Sequence, residues 1–397
     1  MVIIVAKTFY FTSDKPHYEN VPFEVPSSWG WCKLHDIIQI TNGRSQKDVE
    51  NVNGKYPIYG SGGIIGKAVE YLCEAGSTII GRKGTINNPL FVEERFWNID
   101  TAFGMKPMYA ISDLYFFYFC QYFDFSKLDK STAVPSLTQS AIGEVFIPIP
   151  PINEQKHITD GISYWFGFID TLESNLNNLQ LTIKQTKSKI LDLAIHGQLV
   201  PQDPTDEPAS ELLKRINPKA EITCDNGHYQ KLPEGWTVCC LENVAKVLDN
   251  LRKPINSNER NSRIANKHEN ELFPYYGATG QVGFIDDYLV DGTFLLLGED
   301  GAPFLDKYAI KSYPIKGKCW VNNHAHILDP QCDFDYLMYY LNHVDYKDYV
   351  NGSTRLKLTQ SDMRSIIILL PPLTEQKRIS VKVKYLFRLL DSIACNL

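Results

Sequence analysis

The sequence predicts an α+β fold built twice: two mixed globular halves, each followed by a long helix, with the two helices paired antiparallel as a coiled coil. Three observations carry this. The chain repeats its own sequence blocks in order, an apolar stripe of 3.5-residue period follows each copy, and short apolar runs alternate with Gly-rich turns inside each half.

The repeat comes first. "VPSSWGWCKLHDI" (25–37) is answered by "LPEGWTVCCLENV" (232–244), with Pro26, Trp29 and Leu34 on Pro233, Trp236 and Leu241. "YPIYGSGGIIGKAVEYL" (56–72) is answered by "FPYYGATGQVGFIDDYL" (273–289), and "GRKG" (81–84) by "GEDG" (298–301). "LTQSAIGEVFIPIPPINEQKHI" (137–158) matches "LTQSDMRSIIILLPPLTEQKRI" (358–379). The offset runs from 207 to 217 to 223 and back to 221, so insertions fall between shared blocks, where loops belong. Within each half, "STIIGRKG" (77–84), "FLLLGEDG" (294–301) and "VFIPIP" (145–150) read as strands, and 113–123 and 334–344 as aromatic-rich helices.

After Pro150-Pro151 and Pro371-Pro372 the pattern turns helical, with Asn153 or Thr374 as expected N-caps. The first stripe runs Ile158, Ile162, Trp165, Ile169, Leu172, Leu176, Leu179 and Ile183. The second runs Ile379, Val383, Leu386, Leu390 and Ile393. Steps alternating four and three make a coiled-coil seam, and two such seams in one chain bury each other most simply. The distal helix, about 23 residues against about 43, leaves the outer part of the central seam without an intrachain partner. Gly197 is a plausible stop, and the Pro- and acid-rich stretch that follows is a linker with one short helix near Glu211–Ile216. The expected boundaries are 1–152 for the first half, 153–200 for the central helix, 201–231 for the linker, 232–373 for the second half and 374–397 for the distal helix.

A formal net charge of −6 argues against coating nucleic acid by bulk electrostatics, though not against local basic patches. The nine cysteines have no metal-ligand spacing, which suits a reduced cytoplasmic protein. The apolar opening "MVIIVAK" is too short for a signal peptide or a membrane span. "GSGGIIGK" (60–67) fails the phosphate-loop pattern at Ser61 and Ala68, and the dinucleotide pattern at Ile65. His324 and His326 alternate along a strand and face opposite sides. No catalytic constellation, cofactor site or metal site is expected.

Taken together and in order, these blocks resemble the specificity subunits of type I restriction–modification enzymes. The Pro-x-x-Trp pairs, the Gly60–Gly66 and Gly277–Gly283 segments, "WVNNHAHIL" (320–328), the doubled "LTQS" and Pro-Pro-x-x-Glu-Gln-Lys segments and "GQLVPQDPTDEPASELLKRI" (197–216) carry the resemblance. It implies two target-recognition domains, each reading one half of a split, asymmetric site in double-stranded DNA. It also implies helices that act as spacer and docking surface for two methylation subunits and, beyond them, motor–nuclease subunits. Candidate DNA contacts lie in polar loops at equivalent places. They are Arg82, Lys83 and Asn87; Lys130, Ser131 and Thr132 against Ser353, Thr354, Arg355 and Lys357; and Arg252, Lys253, Arg260 and Arg263 in an insertion. Arg can bind guanine bidentately and Asn can bind adenine so. The rival reading is a coiled-coil scaffold with two binding domains and no DNA role.

Overall fold

The computed structural model describes residues 21–108, 111–131, 133–218 and 232–395. It divides into two compact units, Met1–Leu172 and Glu173–Leu397. The boundary falls inside one continuous helix, Ile152–Ile195, so each unit is described separately.

In unit 1 the first and last strands of the half clasp each other. Gly30–Lys33 pairs antiparallel with Phe146–Ile149, Gly30 opposite Ile149 and Lys33 opposite Phe146. Unit 2 repeats this with Thr237–Cys240 on Ile367–Leu370. Each half therefore closes on itself through strands far apart in sequence. Between them, unit 1 holds a four-stranded sheet ordered Ile38–Asn42, Ala102–Pro107, Ser77–Gly81, Leu90–Val92. A three-stranded sheet, Gly63–Ala68, Tyr56–Gly60, Trp97–Asn98, lies beside it in the order of the chain's hydrogen bonding. In unit 2 the same strands merge into one six-stranded sheet, because the ten-residue strand Ser312–Val321 does the work of both Leu90–Val92 and Trp97–Asn98. The register is shared: Ile58 faces Trp97 in a parallel pair, as Tyr275 faces Trp320.

The repeated motifs have local physical roles. Thr138 and Thr359 cap five-residue helices by accepting from Ala141 N–H and Asp362 N–H at 3.2 Å each, while Leu137 and Leu358 before them are buried. That is the LTQ block. In the Glu-Gln-Lys block, the buried Gln155 donates from Nε2 to Pro150 O at 2.9 Å, and its Oε1 accepts from Ser112 N–H at 2.8 Å. Gln376 does the same with Pro371 O and Asp333 N–H, both at 2.8 Å. The Tyr115 hydroxyl donates to Pro148 O and the Tyr336 hydroxyl to Leu369 O, again 221 residues apart. The long helices begin at Ile152 and Leu373, so Asn153 and Thr374 sit inside the first turn. Pro151 and Pro372 accept the first helical bonds in the cap position expected of Asn and Thr.

The seam is not uniform. In unit 1, Ile158 packs on the core, Ile162 is half-buried, and Trp165, Ile169 and Leu172 stand 60%, 46% and 51% exposed. In unit 2, Leu176 and Leu179 are half-buried and Ile183 is buried. There the end of the central helix and the distal helix Leu373–Cys395 run antiparallel. Lys187 Nζ meets Asp391 at 2.5 Å and lies over the Phe387 ring, while Gln202 joins Gly197 O to Glu375 at the opposite end. Ile379 and Val383 do more than line a seam: they are buried in the core of unit 2 with Trp236, Leu337 and Tyr340, because the first turns of the helix pack on the globular half. Leu386 and Leu390 are partly buried against that core, and Ile393 is exposed. Gly197 ends the central helix at φ +67, and the short linker helix spans Ala209–Ile216.

Among the described residues no helix is long and apolar enough to cross a membrane, and all eight described cysteines are free.

Candidate nucleic-acid interface

Two segments come together at the same place in each unit. In unit 1, the turn after Ser77–Gly81 is latched to the loop before Leu137: Gly84 N–H donates to Pro135 O, Leu137 N–H to Arg82 O, and Lys83 bridges Ser136. In unit 2, Gly301 N–H donates to Leu356 O, Leu358 N–H to Glu299 O, and Asp300 bridges Lys357. Gly84 and Gly301 have φ of +79 and +75, a conformation that glycine adopts without strain. The backbone latch is common to both units. What hangs on it differs.

In unit 1 the cations are on the turn. Arg82 is half-buried with its guanidinium 6.0 Å from the Phe103 ring centre, and Lys83 is exposed. Across the latch stand neutral Val134, Pro135 and Ser136. In unit 2 the turn carries Glu299 and Asp300, and the cations have moved to the loop as Arg355 and Lys357. Arg355 Nε lies 2.5 Å from Asp300 Oδ1, and Lys357 Nζ lies 3.2 Å from Glu299 Oε1. An open cleft of about 730 Å³ adjoins this latch, bounded by Thr279, Val282, Asn322, Thr354 and the Asp300–Arg355 pair.

The other sequence candidates divide by what already holds them. The Asn87 amide is engaged at both ends, donating to Asp124 Oδ1 and accepting from Phe125 N–H. Ser131 donates from N–H and Oγ to Asp129 Oδ1, beside exposed Lys130; Thr132 lies outside the described residues. Ser353 and Thr354 are exposed on the 351–357 loop. Arg252 is turned inward, where it meets Asp249 at 3.1 Å and also pairs with Glu299. Arg263 donates to Asp286 at 2.6 Å and lies over the Trp320 ring, Lys253 Nζ is 6.0 Å from the centre of the same ring, and Arg260 is 4.9 Å from the Tyr275 ring centre. These aromatic perches order the cations of the insertion at the surface.

Sequence reasoning passed over the acidic members. Asp249, Glu299 and His326 bring ligand atoms within 4.8 Å of one another, as a metal site would. Arg252 and Lys357 reach the same two carboxylates, so the negative charge is already balanced by protein cations. Asp249 also accepts from Gln360 Nε2 at 2.9 Å and Ile327 N–H at 3.0 Å, and contacts His326 Nδ1 at 2.7 Å. Burial alone would push its carboxyl upward, but these hydrogen bonds and the His326 contact hold it below the ordinary value. His326 Nε2 faces Leu358 O, which ties this network to the latch. The one signal in the sequence was charge reversal at aligned positions, GRKG against GEDG.

Comparison with known proteins sets this geometry in a family. The family model for the type I restriction modification DNA specificity domain matches twice, at residues 26–181 and 233–395. The EcoDI specificity subunit of Escherichia coli is 18% identical over 93% of this chain and 84% of its own length. The EcoEI specificity subunit, also from Escherichia coli, is 28% identical over 60% of this chain and 46% of its own. S.HindORF215P of Haemophilus influenzae, named for a type I restriction enzyme specificity subunit, is 34% identical over 38% of this chain and 37% of its own. The chain thus spans less than half the length of two of these relatives. Among solved structures, a chain of a type I R-M system assembly superposes with a TM-score of 0.59 at 15% identity, covering 94% of each chain. The HsdS subunit from Thermoanaerobacter tengcongensis gives 0.51 at 14% identity, over 94% of this chain and 92% of that one, and both likenesses concern the fold. With two copies of the family domain covering most of its length, this chain belongs to the type I restriction–modification DNA specificity family.

Proposed function

We propose that this chain is the non-catalytic DNA-reading subunit of a type I restriction–modification complex. On this reading each globular half (26–150 and 233–371, within the boundaries drawn above) reads one half of a split site in double-stranded DNA. The long helices dock methylation subunits, two of them by the family resemblance, and through them motor–nuclease subunits. The observation that carries it is one latch built twice, with the charge of its turn reversed between the copies and cations on its loop segment in one copy only. A scaffold has no use for that divergence on so closely kept a backbone, whereas a reader of two different sequences requires it. The net charge is −6, and at the latch of unit 2 both cations are paired with carboxylates, so counterion release by this chain alone supplies little affinity. Tight specific binding should therefore need the methylation partner.

Exchange of modules tests the reading. Because each half closes through its own first and last strands, replacing residues 26–150 with the matching segment of another family member should change one half-site of the methylated sequence and leave the other. Methylome sequencing of cells carrying the complete complex reads this directly. Change in both half-sites, or in neither, would refute independent reading.

A further inference from the structure

We propose that Asp300 is the positioning residue for Arg355, and that the pair forms a subsite for a guanine base in the cleft of unit 2. The inference rests on the DNA-reading function above and gives one of its contacts a chemistry.

Arg355 is 60% exposed at the edge of the cleft, with Nε 2.5 Å from Asp300 Oδ1. Its two terminal nitrogens donate no hydrogen bond to the described residues. Asp300 is only 24% exposed; its second oxygen lies 3.4 Å from His324 Nδ1, and its backbone is bridged to Lys357. The latch fixes the backbone of Asp300, and the largely buried carboxylate it carries pairs with the guanidinium at the cleft edge. A free arginine must be ordered when it binds, and that ordering opposes affinity. Here the ordering precedes binding. With the Asp300 carboxylate paired against Nε, the Nη1–Nη2 fork is left for a ligand, and it matches the O6 and N7 acceptors of guanine; adenine places an amino donor where O6 would be.

The carboxylate also decides against the other ligand an arginine takes. A phosphate brought to this guanidinium would approach Asp300 and be repelled, whereas a neutral base edge is not. The ion pair has no net charge, so it should add selectivity with little salt-dependent affinity. Unit 1 has no such pair at the matching place, where Val134 stands for Arg355 and Lys83 for Asp300. The guanine subsite therefore belongs to one half only.

The test presents the full chain, assembled with methylation subunits, with a randomised duplex library, and sequences the bound fraction. Wild type should enrich a two-part motif with guanine at one position of one half-site. Arg355→Ala should lower that guanine preference about 10-fold, leave the other half-site intact and leave the salt dependence of binding unchanged. Arg355→Lys, which keeps the charge and loses the fork, should do the same. Asp300→Ala should relax the same position, and the double variant should go no further than Arg355→Ala. Asp300→Asn repeats the test with nearly unchanged shape, and thermal melting confirms that each variant is folded. Guanine preference intact in both Asp300 variants would overturn the positioning role. Loss of affinity on all sequences alike in Arg355→Ala would make the contact a phosphate and overturn the subsite. A wild-type complex that enriches no motif would remove the DNA-reading function itself, and this inference with it.

Discussion

Replacing Gln376 by alanine should destabilise unit 2 out of proportion to the few atoms removed. Gln376 is fully buried, and of its partners Pro371 is buried and Asp333 partly so. Its amide serves two backbone groups at 2.8 Å, the Asp333 N–H and the Pro371 carbonyl. Asp333 in turn caps the helix Phe334–His343 by accepting from Tyr336 N–H, and it accepts from Ser380 Oγ at 2.6 Å. Truncation leaves two buried polar groups without partners at about 1–3 kcal/mol each. A net loss of about 3 kcal/mol corresponds to a fall in melting temperature of about 6–12 °C for a unit of this size. Calorimetry of the full chain should show this fall in the transition of unit 2. Gln155→Ala, which orphans Ser112 N–H and Pro150 O, should lower the transition of unit 1 instead. Gln376→Glu keeps the acceptor for Asp333 but cannot donate to Pro371 while ionised, so it should be as damaging at neutral pH and recover on acidification. A fall of less than about 2 °C for Gln376→Ala, no larger than for the exposed Gln185→Ala, would refute the reasoning.

Arg82→Ala in the assembled complex should weaken binding by about 1–3 kcal/mol and relax base preference in the half-site not affected by Arg355, as read by enrichment sequencing. An equal loss on every sequence would make Arg82 a phosphate contact. Asp206 accepts two bonds from Arg378, Nη2 at 2.6 Å and Nη1 at 3.2 Å, and these, ahead of the opposing effect of burial, hold its carboxyl below the ordinary value. A depressed carboxyl contributes stability that is present above its unfolded value, about 4, and lost as the pH falls through the lower folded value. Asp206→Asn should therefore cost about 1 kcal/mol at pH 7, and the difference from wild type should close on acidification below pH 4. A difference that persists at low pH would show that packing, not charge, explains the effect.

Repetition made the architecture legible. A block such as Leu-Thr-Gln names a buried anchor, a helix cap and a side chain reaching back to the sheet. The structure assigns those roles to Leu137, Thr138 and Gln139, whose amide donates to Ile40 O; Leu358 and Thr359 repeat the first two, while Gln360 donates instead to the Asp249 carboxylate. The cap is local chemistry, acting three residues along the chain, whereas the glutamines reach partners 99 and 111 positions away, so only the repetition marks them. The candidate site was legible only as a place. Arg82, Lys83, Arg355 and Lys357 do fall on the two latched segments, but Arg252 turns inward and Asn87 is engaged by its own unit. Nothing along the chain distinguishes a basic residue facing solvent from one facing a buried carboxylate.

By itself, then, the sequence determined the doubling of the fold, the helix after each Pro-Pro and the family, because those follow from order, period and composition. The tertiary structure decided where the charges act. Glu299 and Asp300 read as acidic turn residues until the latch brings Lys357 and Arg355 against them across more than fifty positions. It likewise decided that Ile379 and Val383 are buried in the core of unit 2, with Trp236 and Leu337 as well as Ile190, Leu191 and Ala194 of the central helix, since a 3.5-residue stripe specifies that a face is buried and leaves open what buries it.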